Sequence, residues 1–185
     1  MVPDPYRPTE EDIDSWDCRW PDPVAIQVAA DRLAHERYNE TTFNPKISVI
    51  VRMEDSGDTS KLISAILITP WAVERIFWNN PAEPLPFIES AYPLSKDESG
   101  LIESGQGCLL IDETRKIPVT VAWEPEPGHH FIETLLPSVM AFNTAEEAFN
   151  AALNRKAPRI PGQSLSAHLK KPVSRRGLLR FFSDS

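Results

Sequence analysis

The residues that could support catalysis or bind a metal are few, and their spacing matches no familiar catalytic pattern. The chain contains four histidines and two cysteines: His35, His129, His130, His168, Cys18 and Cys108. The cysteines form no C-x-x-C pair, so neither a zinc site nor a redox motif is indicated, and two free thiols are expected. The sequence contains no G-x-S-x-G, no glycine-rich phosphate loop and no H-E-x-x-H.

The only adjacent histidines follow Pro125-Glu126-Pro127-Gly128, a string that predicts a loop. Neighbouring side chains diverge by about 180° on a strand and about 100° on a helix, so two adjacent rings converge on one metal only in an irregular loop. We therefore interpret His129 and His130 as solvated loop residues in preference to metal ligands. The sequence predicts a protein that is not an enzyme, with no metal site and no cofactor.

A second group of residues is suited to binding another protein. The apolar run 65–73 contains Thr69-Pro70-Trp71 at its centre. Because proline cannot donate to a sheet ladder, this tripeptide must mark a strand end, a bulge or an edge. Trp71, Phe77 and Trp78 follow no clean period, so both faces of this segment carry an aromatic side chain. Either both faces are buried or one of them is a partner surface.

Charge is divided unevenly along the chain. Residues 154–185 contain eight basic side chains and one acidic one; the whole chain contains 19 Lys and Arg and 27 Asp and Glu, which leaves 11 basic and 26 acidic groups in residues 1–153. An acidic body argues against binding to nucleic acid, which requires a basic face. It is compatible with a solvated acidic surface or with a basic partner.

The chain shows no signal for export or for membrane insertion. Its first residues, MVPDPYRPTEEDIDSWD, lack the basic start and apolar core of a signal peptide. No window approaches the ~18 apolar residues that a membrane span requires. A cytoplasmic location is therefore expected.

Local patterns predict two helices and about five strands. Asp22 as N-cap with Pro23 at the first helical position predicts a helix over 23–38, and Thr144 with Glu147 forms a capping box for a second helix ending near 155. Alternating or continuous apolar residues predict strands over 46–53, 61–68, 72–78, 108–111 and 117–123. The strand 61–68 is nearly apolar throughout and is expected to be interior, whereas Pro118 indicates an edge strand or the first residue of one.

This element order predicts an α+β fold: an N-terminal helix, an antiparallel sheet of about five strands, a C-terminal helix and a flexible basic tail. We divide the chain into an acidic extension over 1–20, expected to be extended or disordered, one domain over 21–156, and the tail over 157–185. Paired arginines at 175 and 176 precede the apolar residues Leu178 and Leu179. This cluster is suited either to ordering on a partner or to folding back on the acidic body.

Three strings together resemble a known family. They are Ile68-Thr69-Pro70-Trp71, Asn143-Thr144-Ala145-Glu146-Glu147-Ala148 and Ser174-Arg175-Arg176-Gly177-Leu178-Leu179. In this order and with similar spacing they resemble the HybE family of nickel–iron hydrogenase assembly chaperones, over about residues 22–180.

The resemblance implies a non-catalytic protein that holds the hydrogenase large-subunit precursor during cofactor insertion and subunit pairing. The small subunit is a second candidate partner, and a homodimer is a third association. Partner-binding residues are expected in two groups: Thr69, Pro70, Trp71 and Trp78 in the first, and Arg175, Arg176, Leu178 and Leu179 in the second. The alternatives are an acidic secretion-type chaperone with an unrelated client and, more weakly indicated, a hydrolase whose site is assembled from scattered residues.

Overall fold

The structure of the protein, a computed structural model, describes residues 4–19, 22–55, 62–79, 88–112 and 115–154. The three helices are α1 (Glu10–Asp14), α2 (Pro23–Glu36) and α3 (Ala145–Asn154). The strands are β1 (Ile50–Met53), β2 (Leu62–Ile68), β3 (Val73–Asn79), β4 (Ile88–Glu89), β5 (Gly107–Asp112), β6 (Arg115–Glu124) and β7 (Gly128–Leu136). Within the described ranges, no helix has the length and apolar character needed to cross a membrane.

The strands form one antiparallel sheet of seven, in the order β1-β2-β3-β7-β6-β5-β4. The predicted α+β class and the antiparallel sheet are confirmed, and β2 is an interior strand as expected. Two strands were not predicted, β4 and β7. The second omission matters more, because β7 joins the β1–β3 half of the sheet to the β4–β6 half.

The helix starts follow the predicted capping chemistry. The Asp22 carboxylate accepts a hydrogen bond from the Val24 amide at 2.9 Å, with Pro23 at the first helical position. The Glu147 amide donates to the Thr144 hydroxyl at 3.2 Å, and the Glu147 carboxylate accepts from the Asn143 amide at 3.0 Å. The bonds from Val24 and Glu147 satisfy amides that the first helical turns leave without partners, whereas Asn143 precedes the helix.

The sheet is covered on both faces. Successive residues of a strand point to opposite faces, so β2 divides its apolar side chains between two layers. On one face, Ala65 and Leu67 pack against Ile26 of α2. On the other face, Ile66 and Ile68 pack with α3, whose apolar stripe is Ala145, Ala148 and Ala152.

Residues 4–19 pack against the sheet, which corrects the expectation that this part of the extension 1–20 is extended or disordered. Residues 4–19, here called the N-terminal strap, contain α1 and place Trp16 in the core with Phe77 and Phe131. Only 6% of Trp16 is exposed. The polar, proline-punctuated composition of the strap concealed this, because its burial depends on a few apolar residues that show no regular period.

Pro118 lies within an interior strand, not at the first residue or in an edge strand. It pairs with Leu109 of β5, whereas β7 pairs with β6 only over Thr120–Glu124. At Pro118 itself, β6 therefore has a neighbour on one side only. The missing N–H is tolerated because the ladder to β7 has not yet begun at this position.

Candidate functional site

The Thr69-Pro70-Trp71 string forms a tight corner between β2 and β3. The Thr69 amide donates to the Ala72 carbonyl at 2.9 Å, and the Thr69 hydroxyl donates to the same carbonyl at 3.0 Å. The Ala72 amide in turn donates to the Thr69 hydroxyl oxygen at 3.1 Å. Pro70 restricts φ at the first central position of the turn, so Trp71 projects from a rigid support.

A buried asparagine attaches this corner to two other segments. The Asn44 amide donates to the Pro70 carbonyl at 2.8 Å. Its side-chain amide donates to the carbonyls of Val139 and Phe142, both at 2.9 Å. The side-chain oxygen accepts from the Lys46 amide at 3.1 Å. The Ile47 amide donates to the Asn44 carbonyl at 3.1 Å and closes a turn. This turn occupies the start of the predicted strand 46–53, and β1 begins at Ile50.

Trp71 remains partly exposed and carries a cation on its face. The guanidinium carbon of Arg37 lies 4.4 Å from the centroid of the indole, within the range of a cation–π contact. Arg37 is also paired with Glu40 at 2.7 Å. Tyr38 follows Arg37 in the chain and is 64% exposed. Its ring meets the ring of Phe43 edge-on, with 5.3 Å between the two centroids.

We call Trp71 and Arg37 the Trp71 surface. The segment from Arg37 to Asn44 follows α2, also carries Tyr38 and Phe43, and is bonded to Pro70 through Asn44. Arg37 therefore reaches the tryptophan from a segment that is itself fixed to the corner. An aromatic surface with an adjacent arginine is the composition found in protein-binding hot spots.

The four partner-binding residues predicted in this region differ in their exposure. Thr69, Pro70 and Trp78 are buried, and Trp78 is only 1% exposed. Trp78 lies on the face of β3 that α2 covers, where it packs with Ile26. These three residues support the corner and the core and do not offer a surface to a partner. Trp71 alone of the four is accessible, because it stands at the turn beyond the ends of both strands.

The four remaining predicted binding residues, Arg175, Arg176, Leu178 and Leu179, lie outside the described residues. The same is true of the whole predicted tail, 157–185.

The predicted histidine loop is wrong: His129 and His130 lie in β7 and are 1% and 5% exposed. Their rings point to opposite faces of the sheet. His129 stacks on Trp16 at 4.6 Å, whereas His130 lies beside Trp78 at 5.9 Å. Because the two rings diverge, they cannot bind one metal together. In the described part of the chain, no three or more His, Cys, Asp or Glu residues are grouped to hold a metal ion.

Two further features bear on chemistry: the buried Cys108 thiol and a shallow surface depression beside Trp123. Burial raises the pKa of Cys108 to about 12, so its thiol stays protonated near neutral pH. A shallow depression of about 160 Å³ lies between residues 97–104 and Trp123. One of its two acids, Asp97, accepts hydrogen bonds from the hydroxyl and amide of Ser99 at 2.6 and 2.8 Å and from the Leu101 amide at 3.0 Å. These contacts give Asp97 a structural role in a turn and lower its pKa.

No family model matches the chain, and no curated protein or solved structure shows significant similarity to it.

Sequence reasoning missed Arg37 and Asn44, although both are needed to build the Trp71 surface. The dipeptide Asn44-Pro45 is a turn signal that could have identified the second. Arg37 had no comparable signal, because its contact with Trp71 joins a helix end to a distant strand corner.

Proposed function

We propose that the protein is a non-catalytic assembly chaperone that binds its client through the Trp71 surface. The observation that carries this proposal is a partly exposed tryptophan held on a rigid corner with an arginine 4.4 Å from its ring. A buried tryptophan contributes to stability, but a rigid exposed one supplies contact area to a partner at little entropic cost.

The identity of the client rests on the resemblance to the HybE family. We propose that the client is the large-subunit precursor of a nickel–iron hydrogenase, held in the cytoplasm during cofactor insertion and subunit pairing. The small subunit is the second proposed partner. The tail residues Arg175, Arg176, Leu178 and Leu179 are proposed to add a second contact, in which the arginines bind carboxylates and the leucines fill an apolar groove.

Binding of the purified large-subunit precursor tests the client and the surface together. We expect Trp71→Ala to weaken binding about thirtyfold, which corresponds to the loss of about 2 kcal/mol at a hot spot. Trp71→Phe is expected to retain part of the affinity, because it preserves an aromatic face for the partner. Truncation after Lys156 is expected to weaken binding independently of the change at Trp71.

The matched control is Tyr92→Ala, which removes another exposed aromatic residue, 65% exposed, from a different part of the surface. It should bind the precursor like the wild type, and all variants should have wild-type thermal melts. If Trp71→Ala binds as tightly as Tyr92→Ala, the Trp71 surface is not the contact. If the wild-type protein itself fails to bind the precursor, the proposed client is wrong.

A further inference from the structure

The C-terminal end of the strap is attached to β7 by a main-chain bond and by an imidazole. The His129 amide donates to the Asp17 carbonyl at 2.9 Å, and the Asp17 amide donates to Nδ1 of His129 at 2.7 Å. Nε2 of the same ring lies 2.8 Å from the Ile102 carbonyl. Because Nδ1 accepts a hydrogen bond, Nε2 must carry the proton and donate to that carbonyl. Both contacts are satisfied together only by a neutral ring.

The imidazole also closes an aromatic stack. Trp16 lies between His129, at 4.6 Å, and Phe131, at 4.8 Å between ring centroids. Next to the tryptophan, the Ser15 carbonyl accepts from the Ile102 amide at 3.0 Å. His129 thus contacts the strap through its edge and through its face, on the same side of β7 as Phe131.

The two ends of the strap are held by different chemistry. Near its start, Tyr6 and Ser90 exchange main-chain hydrogen bonds of 2.8 and 3.0 Å. At its end, the Asp17 carboxylate accepts from Nε1 of Trp123 at 2.9 Å and from Arg19 at 2.8 Å. Arg7 also pairs with Glu89 near the start, at 3.3 Å, and Arg19 donates to the Pro125 carbonyl near the end. Among the described contacts that hold the strap, those at Asp17 include an imidazole.

Protonation of the ring removes the acceptor at Nδ1 and sets two N–H groups 2.7 Å apart facing each other. The charged groups facing the imidazole are Asp17 and Arg19 from the strap and Asp97 from the segment before β5. Burial lowers the pKa of His129, and Arg19 acts in the same direction. The Ile102 carbonyl and the two carboxylates oppose this effect without reversing it.

We propose that His129 is a pH-sensitive latch, whose protonation releases the Asp17 end of the strap from β7 and uncovers Trp16 and Phe131. A histidine in an opened strap would titrate near its ordinary pKa of about 6.5. The opened state therefore binds more protons than the closed state below that pH. The strap stays closed above about pH 6.5. As the pH falls from there toward the lower pKa of the closed state, the equilibrium constant for opening rises by up to about tenfold per pH unit.

Amide hydrogen exchange of the full chain, followed by NMR between pH 7.5 and 5.0, tests the latch. The reporters are the amides of Asp17, Ile102 and His129, which form the bonds from the strap to β7 and to the segment before β5. We expect their protection factors, corrected for the intrinsic exchange rate, to fall as the pH drops below about 6.5, by up to about tenfold per pH unit. Reference amides in the β2–β3 ladder should keep their protection. Constant protection of the reporters, or an equal loss in the reference amides, would overturn the proposal.

Two variants test whether the His129 imidazole, and not another titratable group, causes the pH dependence of strap protection. His129→Gln retains an acceptor and a donor but does not titrate, so its strap protection should no longer depend on pH. The control His130→Gln changes the neighbouring residue on the opposite face, beside Trp78, and should keep the wild-type dependence. If strap protection in His129→Gln falls with pH as steeply as in the wild type, His129 is not the latch.

Direct titration of the His129 ring resonances in the wild-type protein covers the case in which the glutamine variant does not fold. A pKa below about 6.5, together with strap opening in the same pH range, supports the latch. A pKa at or above that value contradicts it.

Discussion

The Trp71 surface and the N-terminal strap each position a tryptophan with the help of one polar side chain, but with opposite results. Asn44 fixes the corner with neutral amide bonds and leaves Trp71 partly exposed. His129 fixes the strap with an imidazole and buries Trp16. An amide keeps its donors and acceptor at any ordinary pH, whereas an imidazole loses its acceptor when protonated. One region is therefore built to be constant and the other to respond to pH.

The two regions also differ in how the chain connects them to the sheet. The corner joins two adjacent strands, and its closing bonds link residues three apart in sequence. The bond from Asp17 to His129 links residues 112 apart. The strap precedes the rest of the domain, so it can detach without breaking a strand pair of the main sheet, but the corner cannot move without disturbing β2 and β3. Destabilising mutations at the corner should therefore affect the whole sheet, whereas those in the strap should affect mainly the strap.

The largest expected effect compares two buried tryptophans. Trp78 lies on the face of β3 that α2 covers, so Trp78→Ala should reduce the free energy of unfolding by about 3–5 kcal/mol. Trp16→Ala should cost less in global stability, because the strap can detach and leave the remaining core intact. Urea denaturation measures the first effect, and amide exchange at Asp17 measures strap release. Equal losses of global stability in the two variants would show that the strap unfolds only with the whole domain.

A smaller effect is expected at the corner. Asn44→Ala would leave the carbonyls of Val139 and Phe142 without their donors, and we expect a loss of about 2–3 kcal/mol in the free energy of unfolding. The matched control is Asn143→Ala, which removes only an exposed contact with the Lys46 ammonium group at 2.8 Å and should cost less than about 0.5 kcal/mol. Similar losses in the two variants would contradict the central role of Asn44.

The smallest loss in the free energy of unfolding, and the most local effect on the strap, is expected from alanine substitutions at two glycines. Gly128 has φ +71° and Gly100 has φ +85°, so alanine should introduce a backbone strain of about 1–2 kcal/mol at either position. A Cβ at Gly128 would also lie 2.7 Å from the Asp17 carbonyl, whereas a Cβ at Gly100 would meet no atom within 4 Å. Only Gly128→Ala should lose amide protection at Asp17 at pH 7.5. Retained protection there would show that the strap tolerates displacement from β7.

Local sequence signals determined much of the fold. Asp22 with Pro23 and Thr144 with Glu147 mark helix starts, because the capping bonds form between residues a few positions apart. The strands β2 and β3 and the β5–β6 hairpin were recognisable for a similar reason, since their apolar patterns are continuous over short windows. The corner at Pro70 was also predictable, because proline excludes a ladder position.

Tertiary structure decided the rest. The string His129-His130 follows a turn signal, and only pairing with β6 makes it part of a strand. Trp71 and Trp78 are equally apolar in sequence, yet α2 covers one and leaves the other partly exposed beside Arg37. Trp16 lies in a polar segment and is buried because Phe131 and His129 offer it a stacking site. Each outcome depends on a contact between residues distant in the chain, and such contacts leave no periodic signal in the local sequence.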